Sequence, residues 1–163
     1  MKRILVLIFL LTAGLASNKI FSQVKQVYNP NADAAAELKA AINLAQDSAK
    51  HVLIIIGGNW CSWCLKFNNY IHDDLQIDSL LRNDFVVVKV NYSKEQKNLP
   101  LLKRFDYPQR FGFPVFLILN GKGELLHTQD SGLLESGSGY DKKKVTNFLR
   151  LWSPKALDPK KYD

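Results

Sequence analysis

Both cysteines of the chain fall in one pentapeptide, Trp60-Cys61-Ser62-Trp63-Cys64, directly after an apolar run and two glycines. A Cys-x-x-Cys pair placed between a strand and a helix has the spacing of a redox-active dithiol. If a helix begins near Cys61, its unpaired backbone N–H groups put about half a positive charge beside the Cys61 sulfur. Thiolate is then favoured over thiol, and the thiol pKa is expected to fall from about 8.5 toward 7 or below. Cys61 is the candidate nucleophile toward a partner's disulfide, and Cys64, one turn deeper and shielded, the candidate resolving thiol. A purely structural bridge is the first competing chemistry, but so short a loop removes little chain entropy and stabilises weakly. Metal binding is the second. Zinc takes four protein ligands, or three and water, and none of His51, His72 and His127 stands in local ligand spacing with the cysteines. Each reads as an ordinary surface or edge histidine. No metal site and no cofactor are expected, and Cu(I) held by the two thiolates alone is a minor alternative.

The surrounding sequence alternates helix and strand patterns. Asp33 is the expected N-cap of a helix reaching Ala49, with Leu38, Ala41, Ile42, Ala45 and Ala49 at helical spacing. Val52 to Ile56 is a continuous, mostly β-branched apolar run that reads as a strand buried on both faces. A helix is expected from Trp60 to Ile71, a short one from Asp78 to Arg82, a strand from Phe85 to Val90 and another short helix from Leu99 to Phe105. Val115–Leu119 and Glu124–Thr128 flank Asn120-Gly121-Lys122-Gly123, a hairpin signal. Gln129 to Tyr140, rich in Gly and Ser, reads as a loop, and Asp141 to Trp152 as a closing amphipathic helix. The tail 153–163 is expected to fray. This order predicts an α/β protein with a central mixed sheet flanked by helices on both faces.

Lys2 and Arg3, the apolar run Ile4–Leu11 and the small residues up to Ser17 follow the order of a secretory signal. Residues 1–22 are expected to be removed, with cleavage after Ser22 preferred to cleavage after Ala16. An uncleaved anchor helix is the alternative. The apolar run is short of the roughly 20 residues that span a bilayer. Of the 163 residues 47% are apolar and 23% charged, which excludes a disordered chain and suits one domain over 23–152. The formal charge of +7 drops to +4 once Lys2, Arg3 and Lys19 are removed. Without a Lys/Arg stripe, so small a surplus excludes nucleic acid as a partner. Export places both thiols where disulfides form, so a periplasmic or otherwise exported location is expected.

Residues 50–128 resemble the thioredoxin family. The resemblance rests on the strand Val52–Ile56, the tryptophan-flanked Cys-x-x-Cys, the strand Phe85–Val90, Gly112-Phe113-Pro114 before Val115–Leu119, and the Gly121/Gly123 hairpin. In detail it is similar to exported bacterial members and to the periplasmic C-terminal domain of the thiol:disulfide interchange protein DsbD. The resemblance implies a thioredoxin fold, Cys61 as nucleophile, Cys64 as resolving thiol, and a cis bond at Phe113–Pro114 facing the cysteines. On residue pattern alone Pro114 reads as a trans proline at a strand start. Pro114 offers no N–H, so the backbone of Phe113 is left for an incoming extended peptide. Pro114 also keeps metal ions from the thiols. Trp60, Trp63, Phe113 and Pro114 are the candidate substrate-binding residues, flanked by Asn59 and Lys66. Partial core packing is the competing role of Trp60.

Two departures from the family pattern stand out. Many members carry a buried acid six positions before the first cysteine, and Ile55 stands there. The DsbD-type domain has a second acid four positions after the second cysteine, and Asn68 stands there. Cys64 then lacks a carboxylate base, and water entering a gap left by Gly57 and Gly58 is expected to replace it. No histidine lies between the cysteines, so a potential near thioredoxin's, about −270 mV, is expected rather than the strong oxidant's −120 mV. The expected function is reduction or isomerisation of disulfides in exported proteins, by a monomer supplied with electrons by a membrane donor. The alternative is a non-catalytic binding module.

Overall fold

A computed structural model describes residues 26–163. The expected signal sequence over 1–22 and its cleavage sites lie outside the described residues. The first helix, α1 (Ala34–Asp47), starts where Asp33 accepts hydrogen bonds from the amides of Ala35 and Ala36. Strand β1 (His51–Gly57) follows, then α2 (Ser62–Asp73) and α3 (Leu75–Asp84). Asp74 ends α2 and caps α3, accepting from the amides of Gln76 and Ile77. Next come β2 (Phe85–Asn91), α4 (Leu99–Arg104), β3 (Val115–Leu119) and β4 (Leu125–Asp130). The chain closes with the short strands β5 (Glu135–Ser136) and β6 (Gly139–Tyr140), and α5 (Lys142–Leu151).

The main sheet has the order β2-β1-β3-β4; β1 runs parallel to β2 and antiparallel to β3. All seven residues of β1 are buried because both faces of this central strand are covered. Val52, Ile54 and Ile56 pack with Leu38, Ala41 and Ala45 of α1 and Leu102 of α4. Leu53 and Ile55 face α2, α3 and α5 through Phe67, Ile71, Ile77, Val145 and Phe148. Helices therefore flank both faces, and the small residues on α1 let that helix lie close to the sheet. Fully burying each Leu, Ile or Phe contributes about 1.5–3 kcal/mol. Two packed layers thus hold the carboxyl end of β1, where the cysteines follow, on rigid support.

Two segments differ from expectation. The Gly/Ser-rich stretch after β4 is built: a 3-10 turn over Ser131–Leu134 is capped by Asp130, and β5 pairs with β6. Gly137 at φ +58° suits the two-residue turn of that hairpin. The tail does not simply fray either. Ser153 and Ala156 are buried, and the Ser153 hydroxyl donates to the Arg150 carbonyl while accepting from the Ala156 amide.

Candidate redox site

The chain leaves β1 at Gly57 and turns so that the Cys61 amide donates to the Gly58 carbonyl at 3.0 Å. Cys61 is the N-cap of α2, with extended backbone angles of φ −93° and ψ 107°. Its sulfur takes the place of the usual cap oxygen and accepts the Cys64 amide at 3.1 Å. The two cysteines are joined as a disulfide, with Cα atoms 5.2 Å apart. Cys64 is fully buried and Cys61 keeps 6% of its surface exposed. The helix start therefore points at the outer sulfur, while the inner one sits in the apolar layer with Phe67 and Phe116.

Opposite the disulfide lies Phe113–Pro114, a cis peptide bond. Gly112 before it has φ +89° and ψ −162°, angles that glycine alone adopts readily. The Phe113 carbonyl oxygen lies 3.7 Å from Cys61 Sγ. The Phe113 ring stands between Trp60, edge-on at 5.4 Å, and Tyr92 at 4.8 Å. Trp60 is 60% exposed, so partial core packing does not describe it, and its indole N–H donates to the Tyr92 carbonyl at 2.6 Å. With Tyr92, Ser93, Lys94, Glu95 and Lys97 it lines a groove of about 520 Å³. Trp63 faces the other way: half-buried, it meets Tyr140 edge-on at 5.5 Å, with the Lys66 ammonium 4.6 Å above its ring. Trp60, Phe113 and Pro114 thus stand together beside Cys61, and Trp63 belongs to the wall made by the β5–β6 hairpin.

The space at Gly57 and Gly58 is not the water gap expected from sequence. A Cβ on Gly57 would stand 2.6 Å from Cys64 Sγ and 2.9 Å from the Tyr28 hydroxyl oxygen. One on Gly58 would stand 2.4 Å from the Trp60 indole nitrogen and 2.7 Å from the Tyr92 carbonyl. Both glycines are required by close approach, and side chains of this chain fill the room. Ile55 is buried in the same apolar cluster as Cys64, and Asn68 accepts a hydrogen bond from the Lys89 ammonium. Among the described residues no Asp or Glu is buried.

Three tyrosines near the cysteines escape a reading of the sequence: Tyr28, Tyr92 and Tyr140. Tyr28 is held by its backbone, its N–H donating to Asn59 Oδ1 at 3.0 Å and its carbonyl accepting from Asn59 Nδ2 at 2.7 Å. Burial pushes the Tyr28 phenol well above the ordinary tyrosine value, so it stays protonated. Burial, with Glu135 nearby, does the same to Tyr140. No local pattern marks these residues, because each reaches the site through tertiary packing. Among the described residues no cluster of three His, Cys, Asp or Glu side chains could hold a metal ion. His51 is buried, not a surface residue: Nδ1 donates to the Trp152 carbonyl at 2.8 Å, closing the seam between β1 and the end of α5. His127 stacks on the Trp152 ring at 4.2 Å.

A family profile described as Thioredoxin-like matches residues 33–121, more than half of the chain and including both cysteines. The chain belongs to the thioredoxin-like family. Over 116 residues, 71% of its length, it is 28% identical to the thiol:disulfide interchange protein DsbD of Vibrio cholerae. It spans only about a fifth of that relative, 19% of its length. Among solved structures it is similar to a disulphide isomerase from Xylella fastidiosa, with a TM-score of 0.70 and 24% identity over 78% of this chain and 96% of that one. The oxidised C-terminal domain of DsbD from Neisseria meningitidis superposes with a TM-score of 0.50 and 18% identity, over 71% of this chain and 94% of that one. These structural likenesses establish the α/β thioredoxin fold. The Cys61–Cys64 disulfide is the Cys-x-x-Cys pair of this thioredoxin-like chain and lies within the matched region.

Proposed function

We propose that this chain is a thiol–disulfide oxidoreductase of the cell envelope that reduces or isomerises disulfides in exported proteins. The observation that carries this is the Cys61 sulfur at the start of α2, receiving the Cys64 amide and lying 3.7 Å from the Phe113 carbonyl. In the reduced protein the same N–H and the helix dipole stabilise a Cys61 thiolate. The thiolate attacks one sulfur of a substrate disulfide. A Cys61–substrate bond forms, the substrate's own S–S bond breaks, and the released substrate thiolate takes up a proton. Cys64 then gives up its proton and attacks Cys61, which re-forms the internal disulfide and expels the second substrate thiolate. The substrate strand lies along Phe113 and Pro114, with Trp60 as an apolar contact at the mouth of the site.

Each turnover as a reductase leaves the chain oxidised, so two electrons and two protons must return from a partner dithiol, which we place in the membrane. The likeness to an interchange protein and to a disulphide isomerase supports thiol–disulfide exchange as the reaction class. Insulin-disulfide reduction driven by dithiothreitol tests the proposal. Wild type is expected to accelerate precipitation of the insulin B chain, and Cys61→Ser to abolish the effect. Equal rates for the two would leave a binding module without turnover.

A further inference from the structure

The resolving sulfur has no carboxylate, yet it is not without a polar neighbour. A Cβ built on Gly57 would have Cys64 Sγ at 2.6 Å and the Tyr28 hydroxyl at 2.9 Å. Nothing else lies as near to that point, and the missing side chain of Gly57 is what lets the two groups approach. Tyr28 is 1% exposed and reaches the site from a segment that precedes the region matched by the family profile. That segment is clasped to Asn59, the second residue after Gly57, through both backbone polar groups of Tyr28. Two hydrogen bonds thus fix the backbone of Tyr28, and its hydroxyl lies against Gly57, on the stretch that leads into the cysteines.

We propose that Tyr28 is the hydrogen-bond donor to the Cys64 thiolate in the resolving step, taking the place of the absent acid. The inference rests on the oxidoreductase reading. When the disulfide is open, Cys64 Sγ is free to turn about its Cα–Cβ bond toward the hydroxyl. Its proton passes to solvent, and the negative sulfur accepts the Tyr28 O–H while it attacks Cys61. The Cys61–Cys64 bond forms, the Cys61–substrate bond breaks, and the substrate leaves as a thiolate. A phenol held protonated by burial suits a donor and not a base. The other ionisable groups around this pocket are already engaged. Tyr140 donates to the Trp63 carbonyl, Glu135 stands beside Tyr140, Lys89 donates to Asn68, and Lys66 donates to the Ser138 carbonyl.

The test uses reduced protein mixed with the aromatic disulfide dithionitrobenzoate, which reports two thiol releases in turn. The first follows attack by Cys61 and the second follows resolution by Cys64. Tyr28→Phe keeps the ring and removes the donor. It is expected to leave the first release unchanged, slow the second about tenfold at neutral pH, and raise the pH midpoint of the second by about one unit. Asn59→Ala keeps the hydroxyl but opens the clasp, and is expected to slow the second release in the same sense by a smaller factor. An unchanged second release and midpoint in Tyr28→Phe would overturn the proposal, as would equal slowing of both releases. A wild-type protein that shows no first release would instead overturn the oxidoreductase reading itself.

Discussion

The Tyr140 hydroxyl donates to the Trp63 carbonyl across 3.2 Å, tying the last residue of the β5–β6 hairpin to the first turn of α2. The Tyr140 ring also lies edge-on to Phe67 at 4.9 Å and to Trp63 at 5.5 Å. One side chain thus braces the helix that carries Cys64. Tyr140→Phe removes the hydrogen bond alone and is expected to cost about 1 kcal/mol of stability. Tyr140→Ala also opens a cavity among aromatic rings and is expected to cost about 3–5 kcal/mol. Urea unfolding of the oxidised protein measures both, and equal losses for the two variants would contradict this division.

Gly58→Ala places a methyl group where the Trp60 indole and the Tyr92 carbonyl already meet. The indole must swing away and lose its bond to Tyr92. The Tyr92 carbonyl, a backbone group 2.7 Å from the new methyl, must also give way, at a cost of about 1–3 kcal/mol. The tryptophan emission is expected to change with a fall in insulin reduction. Unaltered emission and activity would show that Trp60 is not fixed by this contact.

Asp141 caps α5, accepting the Lys144 amide at 2.9 Å. Asp141→Ala is expected to lower stability by about 1 kcal/mol, as loss of an N-cap does elsewhere. The redox potential is expected to stay the same, because the Asp141 carboxylate bonds within its own helix, to the Lys144 amide, and to neither cysteine. A glutathione titration of the variant checks this second half.

Acid should weaken the junction of α2, α3 and α5. The Asp74 carboxylate pairs with the Lys142 ammonium at 2.7 Å. The Lys142 hydrogen bond is the main cause that holds Asp74 below its ordinary value of 3.8. A carboxylate with a depressed pKa contributes stability that is complete above its unfolded value and is lost as pH falls through the folded one. Asp74→Asn, still a good cap, is therefore expected to be less stable than wild type at neutral pH. The gap should close as pH drops below about 4. A gap that is constant with pH would exclude the ion pair as its source.

Much of the site is legible in the sequence because its logic is local. Cys61 and Cys64 are three residues apart, and the strand and glycines before them mark a helix start. Gly112-Phe113-Pro114 is readable through family resemblance, whereas the residue pattern alone favours a trans proline. β1 and β3 announce themselves as unbroken apolar runs because both their faces are covered. The β5–β6 hairpin is hidden, since strands of two residues leave no periodicity and their Gly/Ser turn has the composition of a loop. Tyr28 is hidden for another reason. It meets the site through Asn59, 31 residues away in sequence, so no spacing rule reaches it. The glycines after β1 read as empty space, whereas Tyr28, Cys64 and Trp60 occupy it.

The central claim is that α2 holds Cys61 as a thiolate near neutral pH. Its most direct test is the rate of iodoacetamide alkylation of reduced protein across pH, with Cys64→Ala to isolate the outer thiol. The expected result is a half-maximal rate at least one unit below the value of about 8.5 typical of free cysteine. A midpoint at or above that value would contradict the claim.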